Sequence, residues 1–287
     1  MIQFPSFLIA LLISTSSLEV LAQLYDGRSL NEATIAELGS TVQAGTILIL
    51  GENHGLQAHR DQHVAILNQL RSQGLQVSVG LEFVNYTDQI FVDQYRSGEL
   101  NDDQFLSLIK WTGISYEFYK EQFNFPRVEL GEYSLGLNLP RTISSKISKQ
   151  GLASLTEAEF KLLPPDFKVG RDSYKERFRE AAGAHCPNFE NCFAAQSAWD
   201  DTMAWQANEF ILHHPEQVLV IIVGEFHAQY GGGLADRILK RFPEAQIKIL
   251  SQIWAEGMSQ DEIQQSLQPS ILEGPRGDFI WVSKPTK

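Results

Sequence analysis

The sequence predicts an α/β fold, with a mainly parallel central sheet covered by helices and a mostly helical insertion. Two observations support this prediction. Short apolar runs rich in β-branched residues recur along the chain, and segments with helical spacing separate them. Because a strand of a covered parallel sheet is buried on both faces, it is apolar throughout and does not alternate with polar residues.

Five apolar runs are predicted as strands. In chain order they are residues 46–50, 77–81, 218–223, 246–250 and 279–282. The first and third run directly into a glycine, and the second runs into Glu82. Runs of this length suit strands and are shorter than most helices.

Helices are predicted between these strands. Residues 62–71 place their apolar side chains on one face, and Gly74 follows as a stop signal. Residues 234–241 form a second helix, which completes a strand–helix–strand unit. Thr156 and Ser259 each precede a glutamate by three residues, which is the pattern of a capping box.

The middle of the chain, from about residue 88 to 213, is predicted to be mainly helical, and it contains most of the aromatic residues. We interpret it as an insertion that covers one end of the sheet. Residues 23–287 then form a single domain.

Residues 1–22 have the pattern of a signal peptide. An apolar stretch is followed by serines and threonine, and small or aliphatic residues precede a cleavage point after Ala22. The sequence therefore predicts a periplasmic or secreted protein. The alternative is a buried N-terminal helix.

The formal net charge is −12 and is spread along the chain. Nucleic-acid binding depends on clustered Lys and Arg, which neutralise phosphates. We therefore expect no nucleic-acid partner.

The chain has two cysteines, Cys186 and Cys192. In an oxidising compartment such a pair is expected to form a short-loop disulfide. A zinc site that includes His185 is the alternative, but it lacks the fourth ligand that a tetrahedral ion needs.

The most informative motif occurs twice. Gly51-Glu-Asn-His54 and Gly224-Glu-Phe-His227 each follow an apolar strand directly. Ligands of α/β proteins bind beyond the carboxyl ends of the strands, so these turns point to a functional site. The two turns meet there if their strands are neighbours.

Further polar residues accompany these turns. His59 and His63 lie four residues apart, on one face of a helix. Glu82 ends another strand, and a buried carboxylate there needs a cation or an imidazolium as its partner. Imidazoles and carboxylates together also form divalent metal sites. A metal-dependent hydrolase is therefore one hypothesis, with His54, His227, Glu52 and Glu82 as metal ligands and catalytic residues.

The chain resembles the ChaN-like haem-binding family, whose superfamily also contains the Tiki metalloproteases. The resemblance extends from about residue 24 to 254 and rests on several motifs. They are Gly51-Glu-Asn-His54 with His63, Gly80-Leu-Glu-Phe83, Asn138-Leu-Pro-Arg141, His185-Cys186, the helix 196–204, and Gly224-Glu-Phe-His227 with Gly231–Leu234.

The resemblance implies an exported haem-binding protein that acts in iron uptake or storage. Its implied partners are haem, a second copy of the chain that forms a homodimer with cofacial haems, and an outer-membrane haem receptor. Family members are often lipoproteins, but no cysteine follows Ala22, so a lipid anchor is not expected. Trp199 stands where the family usually has an arginine.

Haem iron is bound by His, Tyr, Met or Cys. Four tyrosines of the middle region are candidates, and their spacing does not decide between them: Tyr116, Tyr119, Tyr133 and Tyr174. The residues that we name as candidates for cofactor binding are Tyr174, Arg141, His63 and His185. Arg141 is a candidate partner for a haem propionate, or for Asp200 or Glu82 in a structural ion pair.

Three hypotheses follow: a haem-binding transport or storage protein, a metal-dependent hydrolase or peptidase, and an interaction module with vestigial histidines. The first is preferred. We also expect two separate surfaces, because the histidines lie at strand ends whereas the aromatic candidates lie in the helical middle.

Overall fold

The computed structural model describes residues 20–285, which form one eight-stranded sheet with helices on both faces. The strands are β1 (Val20–Asp26), β2 (Glu32–Ala33), β3 (Thr46–Glu52), β4 (Gln76–Asn85), β5 (Ser134–Asn138), β6 (Gln217–Gly224), β7 (Gln246–Trp254) and β8 (Phe279–Pro285). Their order across the sheet is β2-β1-β8-β7-β3-β6-β4-β5.

The sheet is mainly parallel, as predicted. The six strands from β8 to β5 are parallel to one another, and β1 runs antiparallel to both of its neighbours, β2 and β8. All five predicted strands are confirmed, and each is longer than its apolar run.

Twelve α-helices surround the sheet in the described part of the chain. They are α1 (Ile35–Ser40), α2 (Gln57–Ser72), α3 (Gln89–Arg96), α4 (Asp102–Leu108), α5 (Tyr116–Phe123), α6 (Arg141–Gln150), α7 (Glu157–Phe160), α8 (Asp172–Ala182), α9 (Phe189–His213), α10 (Glu225–Ala228), α11 (Leu234–Arg241) and α12 (Gln260–Leu267). Short 3-10 helices cover Tyr86–Asp88, Val128–Leu130, Leu152–Ser154, Gly183–His185 and Gln229–Gly231. Both predicted capping boxes are confirmed, at the starts of α7 and α12.

Alternate residues of each central strand supply two different cores. In β3, Leu48 and Leu50 pack in the core that also contains α2 and α5, whereas Ile47 and Ile49 pack with α9 and α11. Successive side chains of a strand point to opposite faces, so an apolar run is needed where both faces are covered. This explains why the central strands show no polar alternation.

The chain leaves β3 and β6 on opposite faces of the sheet. After β3 it enters α2, and after β6 it enters α10 and α11, which pack on the other face. Helices that diverge from neighbouring parallel strands open a crevice beyond the strands' carboxyl ends. The structure therefore forms a crevice where the two Gly-Glu-x-His motifs begin.

The middle segment is mainly helical, but it also contributes β5, the edge strand of the sheet. β5 was not predicted, because Ser134-Leu-Gly-Leu-Asn138 has only two apolar side chains. Gln89 donates from its amide to the carbonyl of Ser134 (2.9 Å) and accepts from the N–H of Gly136 (2.9 Å). The Gln89 side chain therefore makes hydrogen bonds to the edge of β5 that a further strand would otherwise make.

The first 19 residues of the predicted signal peptide lie outside the described residues. β1 begins at Val20, so the predicted cleavage after Ala22 would remove its first three residues and leave Gln23–Asp26 to pair with β8. Within residues 20–285, no helix has the length and apolar character needed to span a membrane.

The structure does not contain the predicted disulfide. Cys186 and Cys192 are both free thiols. Burial, together with the neighbouring Cys192, raises the pKa of the Cys186 thiol to about 11. Both cysteines lie beside the aromatic cluster formed by α8 and the start of α9.

A core substitution tests the central position of β6. Ile221 is fully buried, so we expect Ile221→Ala to lower the free energy of unfolding by about 2–5 kcal/mol through loss of contacts and the cavity that remains. The matched control is Leu239→Ala on α11, where the side chain is 44% exposed and a change of about 0.5 kcal/mol or less is expected. Urea denaturation followed by circular dichroism measures both, and equal losses would contradict the assigned core.

Candidate functional site

The two Gly-Glu-x-His motifs meet because β3 and β6 are adjacent. Glu52 at the end of β3 pairs in register with Gly224 at the end of β6. β4 flanks β6 on its other side and brings Glu82 to the same edge. The two strands are therefore neighbours, and the two motifs meet as predicted.

A cavity of about 410 Å³ lies at this edge of the sheet, within the size range of small-molecule sites. Its polar lining includes Glu52, His54, Glu82 and His227. Its apolar lining comes from α8, α9 and α10, and consists of Phe178, Ala181, Ala182, Trp199 and Phe226. The cavity thus combines an apolar wall with two imidazoles.

On the β3 side, a hydrogen-bonded chain joins Tyr119, Glu52 and His54. The hydroxyl of Tyr119 donates to Oε1 of Glu52, and Nδ1 of His54 donates to the same oxygen (2.8 Å). Tyr119 and Glu52 are buried, whereas 36% of the His54 side chain is exposed. The edge of the His54 ring rests on Phe83, with ring centroids 4.9 Å apart.

On the β6 side, a similar chain joins Tyr174, Asp200 and His227. The hydroxyl of Tyr174 donates to Oδ2 of Asp200 (2.7 Å), and Nδ1 of His227 donates to Oδ1 (2.6 Å). All three residues are buried. Gln196, one turn before Asp200 on α9, donates to the Tyr174 hydroxyl (3.1 Å).

Glu82 lies between the two chains. Its Oε2 accepts the N–H of Gly224 (2.7 Å) and lies 3.9 Å from Nε2 of His54, while its Oε1 lies 3.5 Å from Nε2 of His227. We call Glu52, His54, Glu82, Asp200 and His227 the Glu82 cluster.

The protonation states of the cluster follow from these contacts. Burial opposes charge on His227, but Asp200 and Glu82 outweigh it and raise its pKa to about 10. Burial would raise the pKa of Glu82, but His227 and His54 lower it to about 2. Near neutral pH, a buried imidazolium therefore lies between two carboxylates. Burial also opposes protonation of His54, yet Glu52 and Glu82 raise its pKa.

His59 and His63 support the turn from below and do not line the cavity. Nε2 of His63 donates to the carbonyl of Gly51 (3.1 Å), and its Nδ1 accepts from Gln122 (3.2 Å). Nδ1 of His59 accepts the N–H of Asn53 (3.0 Å). Burial lowers the pKa of both histidines, so they hold the motif in place as neutral hydrogen-bonding groups.

The four residues named for cofactor binding do not come together. Tyr174 is fully buried with its hydroxyl bonded to Asp200, and His63 is buried beneath the Gly51 turn. Arg141 is exposed at the start of α6, where it donates to Thr112 (3.3 Å), and it forms no ion pair with Asp200 or Glu82. His185 is exposed after α8. None of the four lines the cavity.

The expectation of two separate surfaces is wrong for Tyr174. Its hydroxyl is linked through Asp200 to His227, and α8 and α9, which carry Tyr174 and Asp200, also form the apolar wall. The helical middle and the strand ends therefore build one site. Asp200 and Gln196 were not predicted as site residues. Their spacing of four residues, which places both on one face of a helix, is the signal in the sequence that could have identified them.

The predicted metal site is not supported. His54, His227, Glu52 and Glu82 do lie together, but among residues 20–285 no group of three or more His, Cys, Asp or Glu is arranged to hold a metal ion. The physical reason is that Nδ1 of both histidines, Glu52 Oε1 and Glu82 Oε2 are already engaged in hydrogen bonds within the protein. The metal-dependent hydrolase hypothesis is therefore not favoured.

Residues 39–238 match the family model described as haem-binding uptake, Tiki superfamily, ChaN. No curated protein sequence is significantly similar to the chain.

One solved structure supports the same fold. The ChaN protein of Campylobacter jejuni, described as binding haem cofacially, is 19% identical with a TM-score of 0.61, over 92% of this chain and 97% of that one. An erythromycin esterase mutant is 11% identical with a TM-score of 0.46, over 88% of this chain and 92% of that one.

The charge on His227 makes a pH-dependent prediction. A folded-state pKa of about 10, raised from 6.5, contributes stability that is complete below pH 6.5 and is lost as the pH rises toward 10. We expect His227→Gln to lower Tm at pH 6 by roughly 10 °C, because it leaves Asp200 and Glu82 buried without a cation. The difference from the parent protein should shrink as the pH rises to 10. The control is His213→Gln, at an exposed position on α9, and a pH-independent Tm difference for His227→Gln would refute the assignment.

Proposed function

The chain belongs to the ChaN haem-binding uptake family of the Tiki superfamily, and from this premise we propose that it binds ferric haem in the cavity beside the Glu82 cluster. The observation that carries the proposal is that this one cavity combines three aromatic side chains with an accessible imidazole. The aromatic residues are Phe178, Trp199 and Phe226, and the imidazole is that of His54.

The side chains of the cavity suit a porphyrin. A porphyrin is a flat, largely apolar ring, and aromatic and small apolar side chains bury such a surface without loss of hydrogen bonds. Ala181 and Ala182 leave room along α8. When bound, haem supplies an iron centre that accepts a protein ligand.

The polar edge of a haem has a different requirement. No Lys or Arg belongs to the lining of the cavity in the described part of the chain. The propionates are therefore proposed to remain in water at the open side. His227 already compensates the buried carboxylates of Glu82 and Asp200. This supports propionates that stay in water, because the imidazolium is not available to pair with them.

We also propose that the protein is exported and that it acts in iron uptake or storage. The signal-peptide pattern of residues 1–22 and the family's role in uptake support it. We further propose a homodimer with cofacial haems, as described for the ChaN protein of Campylobacter jejuni, and an outer-membrane haem receptor as the partner.

A substitution that fills the cavity tests the haem site. Ala181 lines the cavity at an exposed position of α8, so Ala181→Trp is expected to fold and to obstruct the apolar wall. We expect ferric haem to give the parent protein a shifted, saturable Soret band, and Ala181→Trp to lower the affinity at least about tenfold, or about 1.4 kcal/mol.

The matched control is Ala158→Trp, an exposed alanine on α7 away from the cavity, which should bind haem like the parent. If the parent spectrum equals that of free haem in buffer, the proposed function is wrong. Equal affinities of the two tryptophan variants would place the haem elsewhere. Size-exclusion chromatography of the saturated protein reports whether dimers form.

Export has its own test. Expression of the full chain in a bacterium with an outer membrane should yield a periplasmic protein whose intact mass begins at Gln23 and includes no lipid, because signal peptidase removes residues 1–22. An Ala22→Lys variant, which blocks the small-residue position before the cut, is the control and should retain the segment. Recovery of the uncleaved parent protein in the cytoplasm would contradict the proposal.

A further inference from the structure

We propose that the turn at residues 270–274 is a membrane-contact site, which inserts the side chains of Ile271 and Leu272 into the surface of a lipid bilayer. The Ile271 side chain is fully exposed, and Leu272 is 75% exposed. They are the two most exposed large apolar residues in the described part of the chain, where the next, Ile90, is 59% exposed. Because they are neighbours in one turn, they form a single apolar tip.

The 270–274 turn is cross-linked at its base. Ser270 and Gly274 exchange two backbone hydrogen bonds, of 2.8 and 2.9 Å. The hydroxyl of Ser270 also accepts the N–H groups of Leu272 and Glu273, at 3.2 Å each. Gly274 has a φ of +86°, in the left-handed region that favours glycine. An ordered backbone therefore displays the two aliphatic side chains, so that a contact costs little further conformational entropy.

The one charged residue of the 270–274 turn points into the protein. The buried carboxylate of Glu273 accepts hydrogen bonds from Nε of Arg177 (2.8 Å) and from Arg171 (3.2 Å). Residues 263–272 contain no Asp, Glu, Lys or Arg. The tip itself is therefore uncharged. Its insertion into a bilayer would remove no ionised group from water, which is the costliest step of such a transfer.

The small size of the tip favours a bilayer over a protein as its partner. A stable protein interface buries about 800 Å² and engages about 20–30 residues on each side. Two protruding side chains supply only a small part of that area. A segment that enters a lipid surface needs no matching surface on a partner, and its binding strengthens with the apolar area that it buries.

The net charge of the chain determines which bilayer surface the tip prefers. The formal charge is −12, and anionic lipids attract basic segments and repel an acidic protein. Because the tip is uncharged, its contact with the bilayer depends on apolar burial alone. We therefore expect zwitterionic phosphatidylcholine to be bound more tightly than mixtures that contain phosphatidylglycerol, with a difference that shrinks as salt screens the charges.

The tip is attached to the helix that forms part of the cavity wall. Arg177, which binds Glu273, belongs to α8, and its guanidinium lies 4.5 Å from the centre of the Phe226 ring. Phe226 and the α8 residue Phe178 line the cavity. A membrane contact at the tip would hold this apolar wall near the bilayer, where apolar ligands dissolve. The contact itself does not rest on the proposed function.

Flotation with phosphatidylcholine vesicles tests the proposal. We expect the parent protein to float with the vesicles, and Ile271→Ser combined with Leu272→Ser to lower its partition coefficient at least about tenfold, through loss of apolar burial. The matched control is Val128→Ser combined with Leu130→Ser, which removes two exposed aliphatic side chains from a 3-10 helix. It should bind like the parent. Thermal unfolding shows that each variant is folded.

All three proteins are compared in the same processed form, so residues 1–22 do not account for a difference. A parent protein that does not float, or equal flotation of the parent and the Ile271→Ser, Leu272→Ser variant, would overturn the membrane contact. Tighter binding to vesicles with phosphatidylglycerol would assign the contact to basic residues elsewhere. If the parent does not float, and the same variant turns a dimer into a monomer in size-exclusion chromatography, the tip belongs to an interface between two copies.

Discussion

The burial of Glu82 is the constraint on which the rest of the site depends. A carboxylate in a low-dielectric position is costly unless hydrogen bonds and an opposite charge compensate it. The N–H of Gly224 and the imidazolium of His227 supply this compensation. Both come from the end of β6 or just beyond it, so the contact holds β4 and β6 in register at the edge where the cavity opens. His227 then needs Asp200 on its other side, which ties α9 to the sheet.

The same contacts show why the helical middle of the chain belongs to the site. Tyr174 on α8 completes the hydrogen bonds of Asp200, and Tyr119 on α5 completes those of Glu52. Each tyrosine is buried in an aromatic cluster and places only its hydroxyl on a carboxylate. Burial and the adjoining carboxylates raise the pKa of both phenols, so they remain neutral donors. The apolar cores thereby fix the orientation of the charged groups at the strand ends.

The sequence predicted the parts of this arrangement that depend on local patterns. The apolar runs identified five strands, and the repeated Gly-Glu-x-His motif identified where two of them end. The adjacency of β3 and β6 has no local signal, because it depends on crossover connections of the whole chain. The contact of Asp200 with Tyr174 and His227 also has no local signal, since Asp200 and Tyr174 lie 26 residues apart and 27 or more residues from His227. β5 was not predicted, because its burial comes from the helices around it and not from a long apolar run.

The two copies of the motif are alike in sequence and different in chemistry. Glu52 turns toward His54 of its own motif, whereas Glu225 turns away to Ser251, Arg276 and the N–H of Gln252. The second motif continues into α10, and this carries His227 inward to Asp200. The first motif ends in a turn that leaves His54 partly in solvent. One imidazole is therefore a buried cation that stabilises the sheet edge, and the other is the accessible base of the cavity. This asymmetry arises from the local backbone after each glycine, which the motif letters do not encode.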